Sequence, residues 1–387
     1  MKYQRVFIEA IGYELAPVVV TSAELEQRLA PLYEKLKIPV GQLEAWTGIT
    51  ERRWWETDQT LTDGATEAAR RVLEQTRVAA RDVEVLIYAG VCRERFEPAT
   101  ACGVAANLGI SPDAAVYDVS NACLGVLNGM LEIANRIELG QIRAGMVVSC
   151  ESSREIVEYT IQRLLEDMSM ESLTQSLATL TGGSGAVAVL MTDGSFGREN
   201  AHRLLGGAIK SAPEHHGLCT WGFESTLPAA VDRVGNLLPS AVTQTRLGNL
   251  VPQLIQQKVS GLLPARLSHA FTQVMQTDSI SVLKFGVELG HKTWQSFLSR
   301  VGLAPEQIDK VICHQVGKGH RDQVLKSLGI PVDRDFCTYP YLGNIGTVSL
   351  PITAAIADER GFLQKGDRVA LLGIGSGLNC MMLAVDW

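Results

Sequence analysis

Three features of this sequence predict a layered α/β fold. Apolar segments of strand length alternate with segments of helix length along most of the chain. One of them, Val83–Val91, is almost continuously apolar, as is typical of a strand covered by helices on both faces. Similar elements also occur twice in the same order, about 220 residues apart, which indicates a duplicated unit.

The composition narrows the class of protein further. The chain has 387 residues, of which 46% are hydrophobic and 20% charged, and its formal net charge is -7. It contains no run of lysine and arginine, so nucleic-acid binding is disfavoured. No segment approaches the roughly 20 apolar residues of a membrane span, and Glu9 interrupts the early apolar run that a signal peptide would need. We therefore expect neither a nucleic-acid partner nor an integral membrane segment.

The eight cysteines are dispersed and form no Cys-x-x-Cys pair. This pattern predicts neither a zinc site nor a disulfide framework, and we expect no metal or other bound cofactor. A reducing cytoplasm is the simplest location for such a chain.

The N-terminal segment is predicted to begin with a strand over residues 3–12. A helix over Thr21–Leu36 follows, since Thr21 can serve as its N-cap and Glu24 stands three residues on, as in a capping box. Gln42–Arg53, which contains a tryptophan and arginines, is predicted to be a loop.

The rest of the first half is predicted to alternate between helices and strands. Asp63 caps an alanine-rich helix that ends near Thr76, and Val157–Leu180 is helical or irregular. The other predicted elements are the strands Val83–Val91, Val116–Val119, Arg143–Ser149 and Thr181–Met191 and the helices Ala99–Leu108 and Ala122–Leu139.

The second half repeats this order. Asp63–Val91 and Asp278–Val316 each consist of a capped helix, a short loop and an apolar strand. Asn121 and Asn344 then each open a helix that leads to another apolar strand. Chance similarity between α/β units is the alternative, but the shared order and spacing favour duplication.

The duplication divides the chain into two predicted halves, 1–200 and 201–387. An insertion at about 223–273 interrupts the second half. It is rich in leucine, valine and proline and contains more basic than acidic residues, so we expect several short amphipathic helices. A cap packed on the main fold is favoured over an element that binds a membrane or a partner.

The stretch Val116–Gly129, VYDVSNACLGVLNG, carries the first candidate functional residue. It is predicted to run from a strand through a turn into a helix, with Cys123 at or near the first helical turn. The unpaired N–H groups and the dipole of such a turn stabilise a thiolate, which lowers the pKa of the thiol and makes it a nucleophile. The alternative is a small buried hydrophobic residue, the commoner role of cysteine.

Two polar residues of the second half are candidates to act with Cys123. His314 follows the predicted strand Lys310–Cys313, and Asn344 stands where a loop turns into a helix. A lone histidine in such a place is more often structural, but strand ends at one edge of an α/β sheet are where ligands bind. Cysteine, histidine and asparagine together can perform acyl transfer: the thiolate attacks a thioester, and the other two donate hydrogen bonds to a developing enolate oxygen.

The motifs SNACLG, ICHQVG, LGNIGTVSLP and LLGIGSGLNC, in this order, resemble those of the thiolase superfamily. The chain is similar to its β-ketoacyl-acyl-carrier-protein synthase III family and to the OleA-type acyl-CoA condensing enzymes, over the whole length except the insertion. The resemblance implies a five-layered αβαβα thiolase fold and an obligate homodimer. It also implies that Cys123 in the first half is the acylated nucleophile and that His314 and Asn344 in the second half form the oxyanion site for the second substrate.

The resemblance further assigns a first oxyanion hole to the glycine-rich stretch Gly373–Leu378. Ser376 is the expected donor, together with the N–H group of Cys123. Close packing is the alternative explanation for the glycines of this stretch.

One loop departs from the synthase III pattern. That family has a phenylalanine before a proline, which reaches across the dimer into the partner's acyl pocket, whereas Glu97 precedes Pro98 here. OleA-type enzymes have a glutamate at this position, the proposed base for deprotonating the α-carbon of a substrate. A solvated loop acid is the alternative.

Three residues are candidates for binding the carrier of the acyl group. Trp46 stands where synthase III enzymes have the arginine that stacks on the adenine of CoA, and a tryptophan can also stack on a purine. Arg154 and Lys318 are candidates for contact with phosphates, although each is more readily explained as a solvated surface charge.

Together these features predict a condensing enzyme that takes an acyl group from acyl-CoA onto Cys123. The preferred second substrate is a malonyl thioester, with malonyl-ACP as the expected form in fatty acid or related lipid biosynthesis, because its decarboxylation gives the enolate without a base. The alternative is an OleA-type non-decarboxylative, head-to-head condensation of two fatty acyl-CoAs with Glu97 as base. A non-catalytic partner subunit is a further alternative, which the intact Cys123, His314 and Asn344 disfavour.

Overall fold

The computed structural model of the chain describes residues 1–197, 201–225 and 271–387. These residues form thirteen β-strands and twelve α-helices, joined by turns and short 3-10 helices. The strands are Phe7–Leu15 (β1), Val18–Thr21 (β2), Glu51–Trp54 (β3), Val85–Ala89 (β4), Ala115–Val119 (β5), Ala144–Glu151 (β6), Gly185–Thr192 (β7), His202–Ser211 (β8), Cys219–Ser225 (β9), Phe271–Thr277 (β10), Lys310–Cys313 (β11), Arg368–Gly375 (β12) and Asn379–Asp386 (β13). The helices are Ser22–Arg28 (α1), Ala30–Leu36 (α2), Gln42–Thr47 (α3), Leu61–Gln75 (α4), Thr100–Leu108 (α5), Gly125–Glu138 (α6), Arg154–Asp167 (α7), Met170–Leu180 (α8), Ser279–Val301 (α9), Lys318–Leu328 (α10), Tyr339–Leu342 (α11) and Ser349–Glu359 (α12).

The strand order of the main sheet shows the duplication that the sequence predicts. Nine strands are ordered β11-β12-β13-β8-β1-β7-β6-β4-β5. In one half, β4 and β6 are parallel and β7 and β1 follow antiparallel. In the other half, β11 and β12 are parallel and β13 and β8 follow antiparallel. An isolated parallel bridge between Val311 and Asp335 stands where β5 pairs with β4 in the first half.

The core forms the five layers of a thiolase fold. In β4, the side chains of Val85 and Ile87 face a buried cluster with α6 and α12, the central helix layer. The alternate side chains of Leu86 and Tyr88 face a second cluster with α4 and α5. A third cluster joins α9 and α10 to β11, β12 and β13. Both parts of the sheet are therefore covered on both faces, which explains their nearly continuous apolar sequences.

Two predicted boundaries at the start of the chain need correction. The capping box of Thr21 and Glu24 is confirmed, but the helix predicted over Thr21–Leu36 is two helices that meet at Leu29. The second begins with a proline in its first turn, and a proline has no N–H group with which to continue the preceding helix.

The prediction of a loop over Gln42–Arg53 is wrong, since this stretch contains α3 and most of β3. Asp63 is not the N-cap of α4 either. The cap is Thr60, whose hydroxyl accepts a hydrogen bond from the Asp63 N–H group, while the Asp63 carboxylate accepts one from the Thr60 N–H group. An acid in the first turn and an acid at the cap give similar sequence patterns.

The chain divides into two compact units, Met1–Cys219 with Gln276–Trp387, and Thr220–Met275. Most of the predicted insertion at 223–273 lies outside the described residues, and so do its predicted helices. The boundary between the predicted halves at residue 200 stays a prediction. None of the helices that the structure describes is long and apolar enough to cross a membrane.

Candidate active site

Cys123 lies in a tight turn between β5 and α6. The turn is closed by hydrogen bonds from the Leu124 N–H group to the Asn121 carbonyl (2.9 Å) and from the Gly125 N–H group to the Ala122 carbonyl (3.2 Å). Ala122 adopts a φ of 44°, a left-handed conformation that residues other than glycine seldom occupy. The predicted strand–turn–helix is therefore confirmed, with the thiol two residues before the helix begins.

The end of β12 packs directly against this turn. A Cβ atom added at Gly375 would lie 3.3 Å from the Cys123 nitrogen, and one added at Gly373 would lie 2.5 Å from a methyl group of Leu124. The Asn379 amide also donates to the Asn121 side-chain oxygen at 3.0 Å. The glycines are thus needed for close approach, and this approach places the stretch that contains Ser376 beside Cys123.

His314 follows β11 and is 4% exposed. Its backbone N–H group donates to the Leu372 carbonyl on β12 at 2.8 Å, and β12 ends at Gly375 against the Cys123 turn. Burial, with a smaller effect of His320, lowers the pKa of His314 to about 3. The imidazole is therefore neutral at physiological pH, with one N–H donor and one acceptor nitrogen.

The Asn344 loop lies against the start of α6. Its backbone pairs with the chain around Gly182, and its side-chain oxygen accepts a hydrogen bond from the Gly346 N–H group at 3.1 Å. This bond fixes the orientation of the amide. The NH₂ group is the part of the side chain that can donate to a substrate. The Thr347 hydroxyl accepts a bond from the Val126 N–H group (2.8 Å) in the first turn of α6. Contacts of neighbouring segments thus link the three residues: β12, to which His314 bonds, packs on the Cys123 turn, and the segment after Asn344 bonds to the first turn of α6.

The electrostatics of Cys123 differ from the sequence prediction. Burial, with smaller contributions from the nearby Cys219 and Glu151, raises the pKa of its thiol to about 12. A backbone hydrogen bond lowers it, as predicted for a helix start, but burial outweighs that effect. The predicted low pKa of the free thiol is therefore wrong.

Glu151 is a buried carboxylate close enough to Cys123 to affect its pKa, and the sequence analysis did not single it out. It ends the buried strand β6 and is 5% exposed. Its carboxylate accepts hydrogen bonds from the N–H groups of Val91 (3.0 Å) and Cys92 (3.1 Å), and its side chain lies against Gly346. Glu151 therefore ties the loop after β4 to the Asn344 loop. A carboxylate at the end of an apolar strand was the available signal.

Glu97 lies on the exposed loop between β4 and α5, next to Phe96, whose side chain is 90% exposed. The base of this loop is fixed by Glu151 and by a hydrogen bond from the Glu94 N–H group to the Thr100 hydroxyl at 3.3 Å. The loop thus presents an acid and a large apolar side chain at the surface of the single chain.

The candidate carrier-binding residues fall into two groups. Trp46 is 41% exposed on α3, and the turn after it, at Gly48, lies against the side chain of Lys318 at the start of α10. Trp46 and Lys318 are therefore on adjoining segments. Arg154 instead donates one guanidinium bond to the Trp55 carbonyl at 2.9 Å. Its predicted role with phosphates stays a prediction.

Two family models match this chain. The N-terminal domain of thiolases matches residues 46–193, and the C-terminal domain of 3-oxoacyl-[acyl-carrier-protein (ACP)] synthase III matches residues 298–387. An acyl-CoA:acyl-CoA alkyltransferase of Shewanella oneidensis is 53% identical over 389 residues, which cover 100% of both chains. The protein of the same name from Xanthomonas campestris is 34% identical over 388 residues, again with 100% of both chains covered.

Solved structures of Xanthomonas campestris OleA have the same fold. A cysteine-to-alanine variant superposes with a TM-score of 0.84 at 33% identity, covering 100% of this chain and 98% of that one. A cysteine-to-serine variant with bound lauric acid and lauroyl-CoA gives 0.83 at 33% identity, with 100% of both chains covered. Other variants replace a glutamate and a histidine. That glutamate precedes the replaced cysteine by the same number of positions as Glu97 precedes Cys123.

Proposed function

Because this chain belongs to the OleA family of thiolase-fold condensing enzymes, we propose that it joins two fatty acyl-CoA molecules without decarboxylation. The observation that carries the proposal is the full-length identity of 53% to an acyl-CoA:acyl-CoA alkyltransferase. The comparisons support this alternative better than the condensation with malonyl-ACP that the sequence analysis preferred. The product is a 2-alkyl-3-ketoacyl-CoA rather than an elongated acyl-carrier-protein thioester.

In the first half-reaction, Cys123 becomes acylated. Its sulfur attacks the thioester carbonyl of the first acyl-CoA, and CoA leaves as a thiol that takes the proton lost by the cysteine. The N–H groups of Cys123 and Ser376 stabilise the oxyanion formed on the way. The contact between Gly375 and the Cys123 turn supports this pair, since it brings the two segments together.

In the second half-reaction, Glu97 removes an α-proton from the second acyl-CoA. His314 and Asn344 donate to the enolate oxygen, and the α-carbon attacks the Cys123 thioester. A carbon–carbon bond forms, the carbon–sulfur bond breaks, and the thiolate recovers a proton from Glu97. The neutral state of His314 and the engaged side-chain oxygen of Asn344 support these roles, because each leaves an N–H group to donate.

Glu97 performs this role across a homodimer, next to Cys123 of a second copy. Two features support the homodimer. The Phe96–Glu97 pair is exposed at the surface of the single chain, and β5 ends the sheet, so that among the described strands its outer edge has no neighbour. An edge strand of this kind can pair with the same strand of another chain.

Trp46 and Lys318 bind the CoA part of the substrates, with Arg154 as a further contact. The adjoining positions of Trp46 and Lys318 support this assignment, since an indole can stack on adenine while an ammonium group meets phosphate. Lauroyl-CoA bound to an OleA indicates a long acyl chain as the substrate class. A cytoplasmic location stays a prediction.

The deciding experiment is incubation of the purified protein with lauroyl-CoA alone and with lauroyl-CoA plus malonyl-ACP, with the products identified by mass spectrometry. We expect a 2-alkyl-3-ketoacyl-CoA from lauroyl-CoA alone. Cys123→Ala should give no protein adduct and no product, whereas the control Cys102→Ala, at an exposed cysteine, should behave as the unchanged protein. Product formation only with malonyl-ACP would reject the proposal.

A further inference from the structure

A small cavity lies beside His314, between α9, α10 and β12. Its volume is about 20 Å³. Its lining is mostly apolar, as in the side chains of Val287 and Met382, but it also includes His320 in the first turn of α10 and Ser327 farther along that helix. Two imidazole rings and a hydroxyl group thus surround a space within an otherwise apolar layer.

Both imidazoles contribute a buried nitrogen with no partner among the described residues. These atoms are Nδ1 of His314 and Nδ1 of His320. A buried polar atom without a hydrogen bond keeps the full cost of losing its contact with water, so native structures rarely keep two of them at one place. A common partner in the cavity that both rings line would satisfy both.

The cavity has the size and the polar groups that one water molecule needs. A water requires about 10–15 Å³ and two to four polar partners. Besides the two Nδ1 atoms, Ser327 has an available acceptor, because its hydroxyl proton is already donated to the Val324 carbonyl at 2.8 Å. Three of the residues that line this space of about 20 Å³ therefore carry a group that can bond to a water.

We propose that His320 is a positioning residue for His314, which it holds through one water in the cavity that they share. The Nδ1–H group of His320 donates to the water, and the water donates to Nδ1 of His314 and to the Ser327 hydroxyl. Since Nδ1 of His314 accepts, the proton of its neutral ring is on Nε2. The Nε2–H group is then fixed as the donor to the enolate oxygen.

The inference rests on the proposed role of His314 and deepens it. Burial supports the arrangement, because it lowers the pKa of His320 to about 4 and so keeps this ring neutral as well. A neutral His320 has one nitrogen that donates and one that accepts, as the water chain requires. The residues involved come from one compact unit of the chain.

The kinetic test compares His320→Leu, which removes the donor, with His320→Asn, whose amide can donate from nearly the same place. Loss of an oxyanion donor costs about 10²–10³-fold in rate, and loss of its orientation should cost less, about 10–100-fold in condensation. Acylation of Cys123 should change less than about twofold. His320→Asn should recover most of the condensation rate, and the control His291→Leu, at an exposed histidine, should lose none.

The spectroscopic test does not depend on activity. Nitrogen-15 spectra of histidine-labelled protein report which ring nitrogen carries the proton, and the His314→Asn spectrum assigns the His314 signals. We expect His314 to be protonated on Nε2 in the unchanged protein and in His320→Asn, and to become a mixture of tautomers in His320→Leu. An unchanged tautomer in His320→Leu, or an equal loss of acylation and condensation, would overturn the inference.

These outcomes separate the inference from the proposed function. If the protein condenses only with malonyl-ACP, the proposed function fails, but the same enolate site is then used and the His320 variants are compared on that reaction. Thermal melting of both variants shows whether they fold. If His320→Leu does not fold, the inference requires that His320→Asn keep the Nε2-protonated His314, and any other tautomer there rejects it.

Discussion

The thiol of Cys123 lies in a turn whose surroundings keep it protonated. A helix start favours a thiolate, and on this ground the sequence predicted an activated cysteine. The folded chain also half-buries Cys123, and this partial removal from water is the main reason that the pKa of the thiol rises to about 12, because a charged sulfur is poorly solvated there. The sequence could place the residue in its turn but could not weigh these opposing effects, since burial depends on segments far along the chain.

This balance predicts how the free enzyme reacts with iodoacetamide. Below its pKa, the thiolate fraction of Cys123 rises tenfold with each pH unit, so its alkylation rate should rise by about that factor throughout the range below pH 9. Peptide mass spectrometry measures the rate at Cys123, and the exposed Cys102 in the same sample checks the reagent. A rate that levels off below pH 8 would show a stabilised thiolate, contrary to this prediction.

The carboxylate of Glu97 decides between the two chemistries. If it removes the α-proton, Glu97→Gln should lower the condensation of two acyl-CoAs by about 10²–10⁴-fold, the usual contribution of a general base. Acylation of Cys123, measured as the mass of the intact protein, should stay within a few-fold. Glu74→Gln, an exposed glutamate on α4, is the matched control and should keep full activity. Condensation unaffected by Glu97→Gln would exclude the glutamate as base.

At the level of secondary structure, the longer elements were predictable and the segment over Gln42–Arg53 was not. The stretch is predicted to be a loop that contains arginines, but Arg52 lies on β3 and is fully buried. The guanidinium donates to the Ser22 hydroxyl at 3.1 Å and to the Leu180 carbonyl at 3.3 Å. These partners come from distant segments, so no local pattern could indicate that this arginine belongs to a strand of the interior. His320 was missed for the same reason.

The contact between β12 and the Cys123 turn yields a prediction for Gly375. A Cβ atom there would lie 3.3 Å from the Cys123 nitrogen and 3.4 Å from Leu124, so Gly375→Ala must displace the turn slightly. Such overpacking costs about 1–3 kcal/mol of stability, and a misplaced nucleophile should slow acylation by roughly 10–100-fold. Thermal melting and the rate of adduct formation measure both effects. Gly217→Ala, which meets no atom within 4 Å, should change neither, and an active Gly375→Ala would refute the tight contact.

At the scale of the whole molecule, the choice between the two condensation reactions depends on whether Glu97 of one chain reaches Cys123 of a second chain. The sheet ends at β5, and the loop with Phe96 and Glu97 is exposed on a single chain, so we predict a homodimer of twice 42.0 kDa by light scattering.

If Glu97 serves Cys123 of the other chain, two inactive variants should complement each other. In a refolded mixture of Cys123→Ala and Glu97→Gln, half of the dimers contain one chain of each kind, and one of their two sites has both groups intact. The mixture should therefore recover about a quarter of the full activity. A mixture of Glu97→Gln with the double variant Cys123→Ala/Glu97→Gln has no intact site and should stay inactive. A light-scattering mass of one chain, or no recovery in the first mixture despite mixed dimers, would place Glu97 outside the partner's site.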